Sequence, residues 1–197
     1  MSSSEKYIDA VFAAYQDWFG KPSDMFKMKR LPDSLGINEI GIIIYLPEST
    51  PDGSILTLLG TAGMSAKDMN GPVPLAELGM EIEGSLTPNA LKLVTKRLAD
   101  LAVMPFYTGQ GYRLNSVLKV IGTPLFEPFD AVYLLDWDSY DKLRPIGFDK
   151  TFPLLRLVPI FEREARFIEN SKDRNRAYLD LKRKGLNPAD FKRGSTL

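Results

Sequence analysis

The order in which helical and strand periodicities follow one another is the feature that most restricts the fold of this chain. Apolar residues recur first at helical spacing, then at strand spacing in several consecutive segments, then at helical spacing again, before more strands and two final helices. A doubly wound sheet requires regular alternation of strand and helix, which this order lacks. The pattern therefore predicts a single α+β domain over residues 1–197, with a mixed, mostly antiparallel sheet and flanking helices.

Punctuating residues predict where the helices begin and end. In the second helix, Thr87 is a suitable N-cap, Pro88 occupies the first helical position, and Pro105 is expected just beyond the last turn. Its apolar stripe is formed by side chains at helical spacing, namely Leu91, Val94, Leu98 and Leu101. The first helix is predicted to begin with a capping box of Ser2 and Glu5 and to end before Gly20. The last two are predicted at residues 161–169 and 174–184.

Seven segments have the composition or alternation of β-strands, and the first of them is expected at a sheet edge. They are residues 25–31, 39–46, 54–61, 76–83, 115–121, 131–136 and 152–160. The Asp52-Gly53 pair predicts a turn that joins the second and third strands into a hairpin. In the fourth strand, Leu78, Met80 and Ile82 alternate with Glu77, Glu81 and Glu83. Glu81 and Glu83 are expected on the same side of the strand, where a solvent-facing edge would explain them.

Composition excludes several classes of function. Neither His nor Cys occurs among the 197 residues, which removes Ser-His triads, thiolate chemistry and the usual zinc ligands. Basic and acidic residues balance at 25 each, unlike the basic excess of a nucleic-acid-binding protein. The longest strongly apolar stretch, Gly41 to Leu46, is too short to span a bilayer. With no signal-peptide pattern at the N-terminus, we expect a cytoplasmic protein without nucleic-acid or membrane partners.

Three glycine-rich or acidic loops were considered as ligand sites. Gly60 to Ser65 lacks the Gly-Lys-Ser/Thr ending of a P-loop, and Gly109-x-Gly111 lacks the third glycine of a dinucleotide fingerprint. The acidic run that begins at Asp136 has Gly147 where a calcium loop requires Glu. No cofactor or metal is therefore predicted.

The same acidic run offers a surface for another protein. Aromatic side chains beside charges are typical of protein interfaces, and Trp137 and Tyr140 alternate here with Asp136 and Asp138. Two alternatives stay open at this point. One is a carboxylate-dependent hydrolase or metal-binding enzyme that uses Glu81, Glu83, Asp136 or Asp138. The other is a structural or chaperone-like subunit.

Four segments resemble the suppressor-of-fused-like domain family in order and spacing. The first runs from Thr57 to Ser65 and ends in Gly-Thr-Ala-Gly-Met-Ser, which is similar to the family's "T-S-G-M-S" segment. The others are the strand Glu77–Glu83 with the helix and two-glycine loop that follow it, the strand-to-helix junction Leu154–Glu164, and the ending Asp190–Arg193. The sequence departs from the family pattern at Tyr112-Arg113, where a Gly-His-Thr-like sequence is expected.

The resemblance implies an α+β domain that binds other proteins and does not catalyse a reaction. The animal member of the family holds a transcription factor by clamping a short peptide. A stand-alone chain resembles the bacterial members, which look like immunity proteins that neutralise a partner toxin. Candidate partner-binding residues are then Gly63, Met64 and Ser65, together with Asp136, Trp137, Asp138 and Tyr140.

Overall fold

The computed structural model describes residues 3–37, 39–46, 55–119, 129–137 and 142–197. Its seven strands are β1 Asp24–Arg30, β2 Glu39–Tyr45, β3 Leu56–Ala62, β4 Glu77–Glu83, β5 Ser116–Lys119, β6 Ala131–Asp136 and β7 Leu154–Ile160. Its α-helices are α1 Ser3–Phe19, α2 Pro88–Thr108, α3 Glu162–Glu169 and α4 Arg174–Arg183. None of the helices in these ranges has the length and apolarity needed to cross a membrane.

All seven strands form one sheet in the order β1-β2-β3-β4-β7-β6-β5. Five of the six strand pairs are antiparallel, and only β4 and β7 run parallel. The parallel pair is short, joining Glu77–Gly79 to Leu154–Arg156. It is the seam between a four-stranded half, β1 to β4, and a three-stranded half, β5 to β7. The mixed, mostly antiparallel α+β fold predicted from the sequence is confirmed.

Helices cover both faces of the sheet because successive strand residues point to opposite sides. On one face, α2 contributes Val94, Leu98 and Leu101 to the largest apolar cluster, which includes Ile42 and Leu155 from the sheet. The opposite face carries α1 over the four-stranded half and the α3–α4 pair over the three-stranded half. Glu77 in β4 is fully buried although it belongs to the same alternating pattern as Glu81 and Glu83.

The second helix extends past the end predicted from Pro105. It runs to Thr108 and ends at Gly109, whose φ of 68° is in the left-handed region. A proline lacks the N–H that would bond the carbonyl four residues earlier, here that of Leu101. The hydroxyl of Tyr112 donates to this carbonyl at 2.6 Å and satisfies it instead. The helix tolerates Pro105 because a residue beyond its own end supplies the missing donor.

Most other predicted elements are observed within one to four residues at each end. The first strand lies at a sheet edge as expected, and β2 and β3 are antiparallel neighbours. The Asp52-Gly53 turn and the end of the strand predicted to Ile121 lie outside the described residues. Thr87 caps α2 as predicted, since its hydroxyl accepts from the backbone N–H of Ala90 at 3.3 Å.

Candidate functional site

Three strand glycines leave a depression in the surface of the sheet. Two aromatic rings of α1 and the ring of Trp137 pack into this depression. Gly60 and Gly79 are cross-strand partners in β3 and β4. A Cβ at Gly60 would lie 2.7 Å from the ring of Tyr15, and one at Gly79 would lie 2.4 Å from the ring of Trp137. At Gly41 in β2 a Cβ would lie 2.6 Å from Phe12. Only residues without a side chain allow these rings to approach the backbone so closely.

The carboxylate of Glu77 is the centre of a buried hydrogen-bond network beside this depression. Its Oε1 accepts the backbone N–H groups of Gly63 and Ser65, at 2.9 and 3.0 Å, and the Ser65 hydroxyl at 2.6 Å. Its Oε2 accepts the hydroxyl of Thr61 at 2.6 Å. Thr61 in turn accepts the backbone N–H of Leu78 at 2.8 Å. The side chain therefore holds the turn after β3 against the start of β4.

The network continues into α1 through Tyr7. The Tyr7 hydroxyl donates to the backbone carbonyl of Ser65 at 3.0 Å and lies 2.9 Å from the Ser65 hydroxyl. Burial raises the pKa of Tyr7 to about 12, with Ser65 lowering it and the Glu77 carboxylate raising it. Burial also raises the pKa of Glu77, although its four donors act to lower it. Since Glu77 is fully enclosed by donors of its own chain, this arrangement holds the fold together.

The structure places one group of predicted site residues in this network. Gly63 has a φ of 113°, which favours glycine, and a Cβ there would lie 2.7 Å from the carbonyl oxygen of Glu39. Met64 and Ser65 are fully buried. Their role in binding a partner stays a prediction, and any such role would act through the shape of this turn. Glu77, to which sequence reasoning assigned no role, holds the backbone of Gly63 and Ser65 in place.

The other predicted group lies where β6 ends, at the seam of the sheet. Asp136 is exposed, whereas Trp137 is 3% exposed because its ring lies on Gly79. The guanidinium of Arg156 is 5.6 Å from the centroid of the Trp137 ring. Asp138 and Tyr140 lie outside the described residues. The Trp137 ring is thus anchored where β6 ends, and partner binding by the group stays a prediction.

The carboxylates considered for catalysis do not converge in the described part of the chain. Glu81 forms an ion pair with Arg156, and Glu83 accepts the side-chain amide of Asn187 at 3.0 Å. Asp136 in β6 is the register partner of Leu155 in β7, and Leu155 is the register partner of Leu78 in β4. Asp136 is therefore level with Leu78, and Glu83 lies five residues further along β4, about 16 Å away in the strand direction. No cluster of three acidic residues able to hold a metal ion occurs among the described residues.

A second buried carboxylate fastens the C-terminal segment to α3. The guanidinium of Arg193 donates to both oxygens of Glu164, at 2.7 and 2.9 Å, and lies about 5 Å from the centroids of Phe129 and Phe161. The backbone N–H and hydroxyl of Thr196 donate to the same carboxylate. Burial is the largest single influence and raises the pKa of Glu164, but the hydrogen bonds from Arg193, Thr196 and Phe161 and the charge of Arg193 together outweigh it, so the pKa is lowered overall. Sequence reasoning noted Arg193 only within a family-like ending.

Comparison with solved structures identifies the architecture. A crystal structure described as a suppressor-of-fused (SUFU) homologue from Neisseria gonorrhoeae superimposes with a TM-score of 0.71, covering 98% of each chain at 16% sequence identity. The fold is suppressor-of-fused-like. The Sufu–Fu complex matches with a TM-score of 0.62 over 98% of this chain and 91% of that chain, at 12% identity. No protein-family model and no curated protein matches the sequence.

The suppressor-of-fused-like fold also occurs within a longer protein. Drosophila Suppressor of Fused matches with a TM-score of 0.62 at 13% identity, covering 96% of this chain but 50% of its own. The present chain therefore spans about half the length of the Drosophila protein. The resemblance in the four sequence segments is confirmed at the level of the fold.

Proposed function

We propose that this chain is a non-catalytic protein-binding domain. The observation that carries the proposal is its suppressor-of-fused-like fold over 98% of the chain, together with the fact that one matched structure is a complex of Sufu with a second protein, Fu. Because one fold can host several functions, the chemistry of this chain must support the same conclusion.

The residue chemistry favours binding over catalysis. With neither His nor Cys in the sequence, carboxylates would have to act as acid, base or metal ligand. Among the described candidates, Glu81 is neutralised by Arg156, Glu83 supports Asn187, and Asp136 lies at the other end of the sheet. Surface complementarity is then the main resource of the molecule.

We further propose that the partner is a toxin and that the chain is a bacterial, cytoplasmic immunity protein. The match to a Neisseria gonorrhoeae protein, which covers 98% of each chain, supports a bacterial relative of this kind. The proposed contact is the segment that begins at Asp136, where the sequence places acidic beside aromatic residues. Within it Asp136 is exposed, whereas Trp137 is 3% exposed and would act by positioning Asp136.

Affinity capture with matched charge reversals tests the protein-binding function. The purified chain, an Asp136→Lys variant and an Asp17→Lys control would each be immobilised and exposed to lysate of the source organism, followed by mass spectrometry. Asp17 is also exposed but lies at the end of α1. We expect a partner that forms a stoichiometric complex with wild type and the control, and at least tenfold weaker binding to Asp136→Lys.

Two results would contradict these proposals at different levels. Equal binding by both variants would remove the Asp136 loop as the contact. The absence of any stoichiometric complex, with a hydrolytic activity in the purified chain, would overturn the binding function itself. For the immunity role, co-expression with the captured partner must rescue cells from that partner's toxicity.

A further inference from the structure

A cavity of about 400 Å³ lies between the edge strand β1 and the first turns of α2. Its lining comes from Phe26 in β1 and from Pro88, Leu91, Lys92 and Thr95 in α2. The volume falls within the range of sites that bind ligands or single large side chains. We propose, building on the protein-binding function above, that this cavity receives an apolar side chain from an acidic, extended segment of a partner protein.

The surface of the cavity is mostly apolar, with Lys92 and Thr95 as its polar side chains. Phe26 is 41% exposed, which is unusual for a phenylalanine on a strand beside an apolar cavity. The Thr95 hydroxyl donates to the carbonyls of Leu91 and Lys92, both at 3.0 Å, so its hydrogen-bonding capacity is used within the helix. An apolar side chain could therefore enter without leaving a buried polar group unsatisfied.

The backbone beside the cavity is suited to an extended ligand. β1 pairs only with β2 among the described strands, and edge strands present unpaired backbone groups to a further chain. The register of β1 is regular from Asp24 to Lys27 and is interrupted at Met28. A bulge of this kind obstructs pairing, so the accessible half of the edge is the half that carries Phe26.

The charges around the cavity select for an acidic ligand. Lys92 of α2 lines the cavity, and Lys96, one turn further along the helix, is also exposed. Two neighbouring cations are already paired, Lys27 with Asp9 of α1 and Arg97 with Asp100, each at 3.8 Å. Lys92 and Lys96 are therefore the cations that this side of α2 offers to a ligand. Acidic residues flanking the apolar anchor would be attracted to this surface.

A designed peptide can test the cavity without knowledge of the native partner. The probe is a fluorescein-labelled peptide, Glu-Glu-Val-Thr-Phe-Thr-Val-Glu-Glu, measured by fluorescence anisotropy and by backbone amide chemical shifts of the full chain. Its controls replace Phe by Ala, or every Glu by Lys. We expect binding that weakens with salt, with the largest shifts in β1 and the first half of α2.

Variants of the protein test whether the probe peptide binds at the cavity. Lys92→Glu reverses a charge at the cavity, Phe26→Ala removes part of its wall, and Lys182→Glu is the control at an exposed position on α4. The first two should weaken probe binding about tenfold or more, and the third should leave it unchanged. Circular dichroism would confirm that each variant is folded.

Several outcomes would overturn the inference. They are no binding at about 1 mM probe, equal binding of the Lys-substituted peptide, shifts confined to another surface, or a wild-type dimer that dissociates in Lys92→Glu. If Lys92→Glu still captures the native partner at full affinity, the cavity is not its site although the protein-binding function stands. If the probe binds at this edge but no native partner is captured, the site stands and the proposed function fails.

Discussion

At the scale of single residues, Glu77 shows how hydrogen-bond donors stabilise a buried carboxylate. Its carboxylate accepts two hydroxyl and two backbone N–H groups and has no exposed surface. Glu77→Ala would leave these donors unsatisfied, and we expect it to lower the free energy of unfolding by about 3 kcal/mol or more. Glu77→Gln retains an acceptor for Gly63 and Ser65, so its effect should be smaller. Urea unfolding measures both.

Comparison of wild type with Glu77→Gln at several pH values reports the protonation of Glu77. Because its pKa in the folded state is raised above about 4.5, the folded state binds this proton more tightly than the unfolded state does. The stability that the protonated side chain contributes is fully present below about pH 4.5 and is lost as the pH rises through the folded-state pKa. Relative to Glu77→Gln, wild type should therefore lose stability as the pH rises above about 4.5. A difference independent of pH would contradict the direction of this shift.

Replacing two buried tyrosines by phenylalanine, one at a time, should have opposite effects on stability. The Tyr15 hydroxyl is buried without a hydrogen-bond partner among the described residues, whereas the Tyr112 hydroxyl satisfies the Leu101 carbonyl freed by Pro105. Tyr15→Phe should leave stability unchanged or increase it by up to about 1 kcal/mol, since it removes an unsatisfied polar group. Tyr112→Phe should lower stability by about 1–3 kcal/mol. Thermal unfolding of the two variants side by side would test both.

At the scale of elements, the strand glycines determine how closely α1 lies on the sheet. Gly60→Ala places a methyl group 2.7 Å from the Tyr15 ring, which cannot be accommodated without displacing the helix or the strand. We expect a loss of about 1–3 kcal/mol from overpacking. Gly194→Ala is the control, because nothing lies within 4 Å of the added Cβ. Equal stability of the two variants in chemical denaturation would contradict the close seating of α1.

The ion pair of Arg193 with Glu164, together with two hydrogen bonds from Thr196, attaches the C-terminal segment to α3. Arg193→Ala would leave the buried Glu164 carboxylate without its bidentate partner, and we expect a loss of about 3–5 kcal/mol at neutral pH. Arg193→Lys should have an intermediate effect, since an ammonium lacks the planar fork that bonds both oxygens. Equilibrium unfolding curves at neutral pH would rank the three proteins.

The pH dependence of this ion pair should be opposite in sign to that of Glu77. The pKa of Glu164 is lowered in the folded state, so its stabilising contribution is present above the unfolded value and is lost as the pH falls through the folded value. The difference between wild type and Arg193→Ala should therefore shrink below about pH 4.5. Unfolding curves at several acidic pH values would show this, and a constant difference would argue against the shift.

At the scale of the whole molecule, the sheet is most protected at its centre and least at its edges. β3, β4 and β7 are paired on both sides, and the strand residues Leu59, Met80 and Leu155 are fully buried. β1 and β5 are the edges and carry more exposed side chains. Amide hydrogen exchange should be slowest in the three central strands and fastest in β1 and β5. Fast exchange in β4 would show that the seam opens independently.

The sequence alone determined the class of fold and most element positions. Periodicity is local. The apolar runs of β2 and β7 predict strands buried on both faces, and the apolar stripes of α1 and α2 predict which face of each helix is buried, whatever the element packs against. The family-like segments from Thr57 to Ser65 and from Leu154 to Glu164 added the architecture, which the structural matches confirm. The edge position of β1 was also predictable, from its weak alternation and high charge.

Only the tertiary structure decided what the polar residues do. Glu77 looks like a solvated strand residue until donors from Thr61, Gly63 and Ser65 surround it, and Tyr7 reaches that network from 58 residues away. Glu81 pairs with Arg156, which lies 75 residues later in the chain. The helix accommodates Pro105 because the Tyr112 hydroxyl donates to the carbonyl of Leu101. A buried carboxylate or a proline within a helix is stable only where distant segments bring the missing partner. Such partners leave no periodic trace in the sequence, since nothing local requires them.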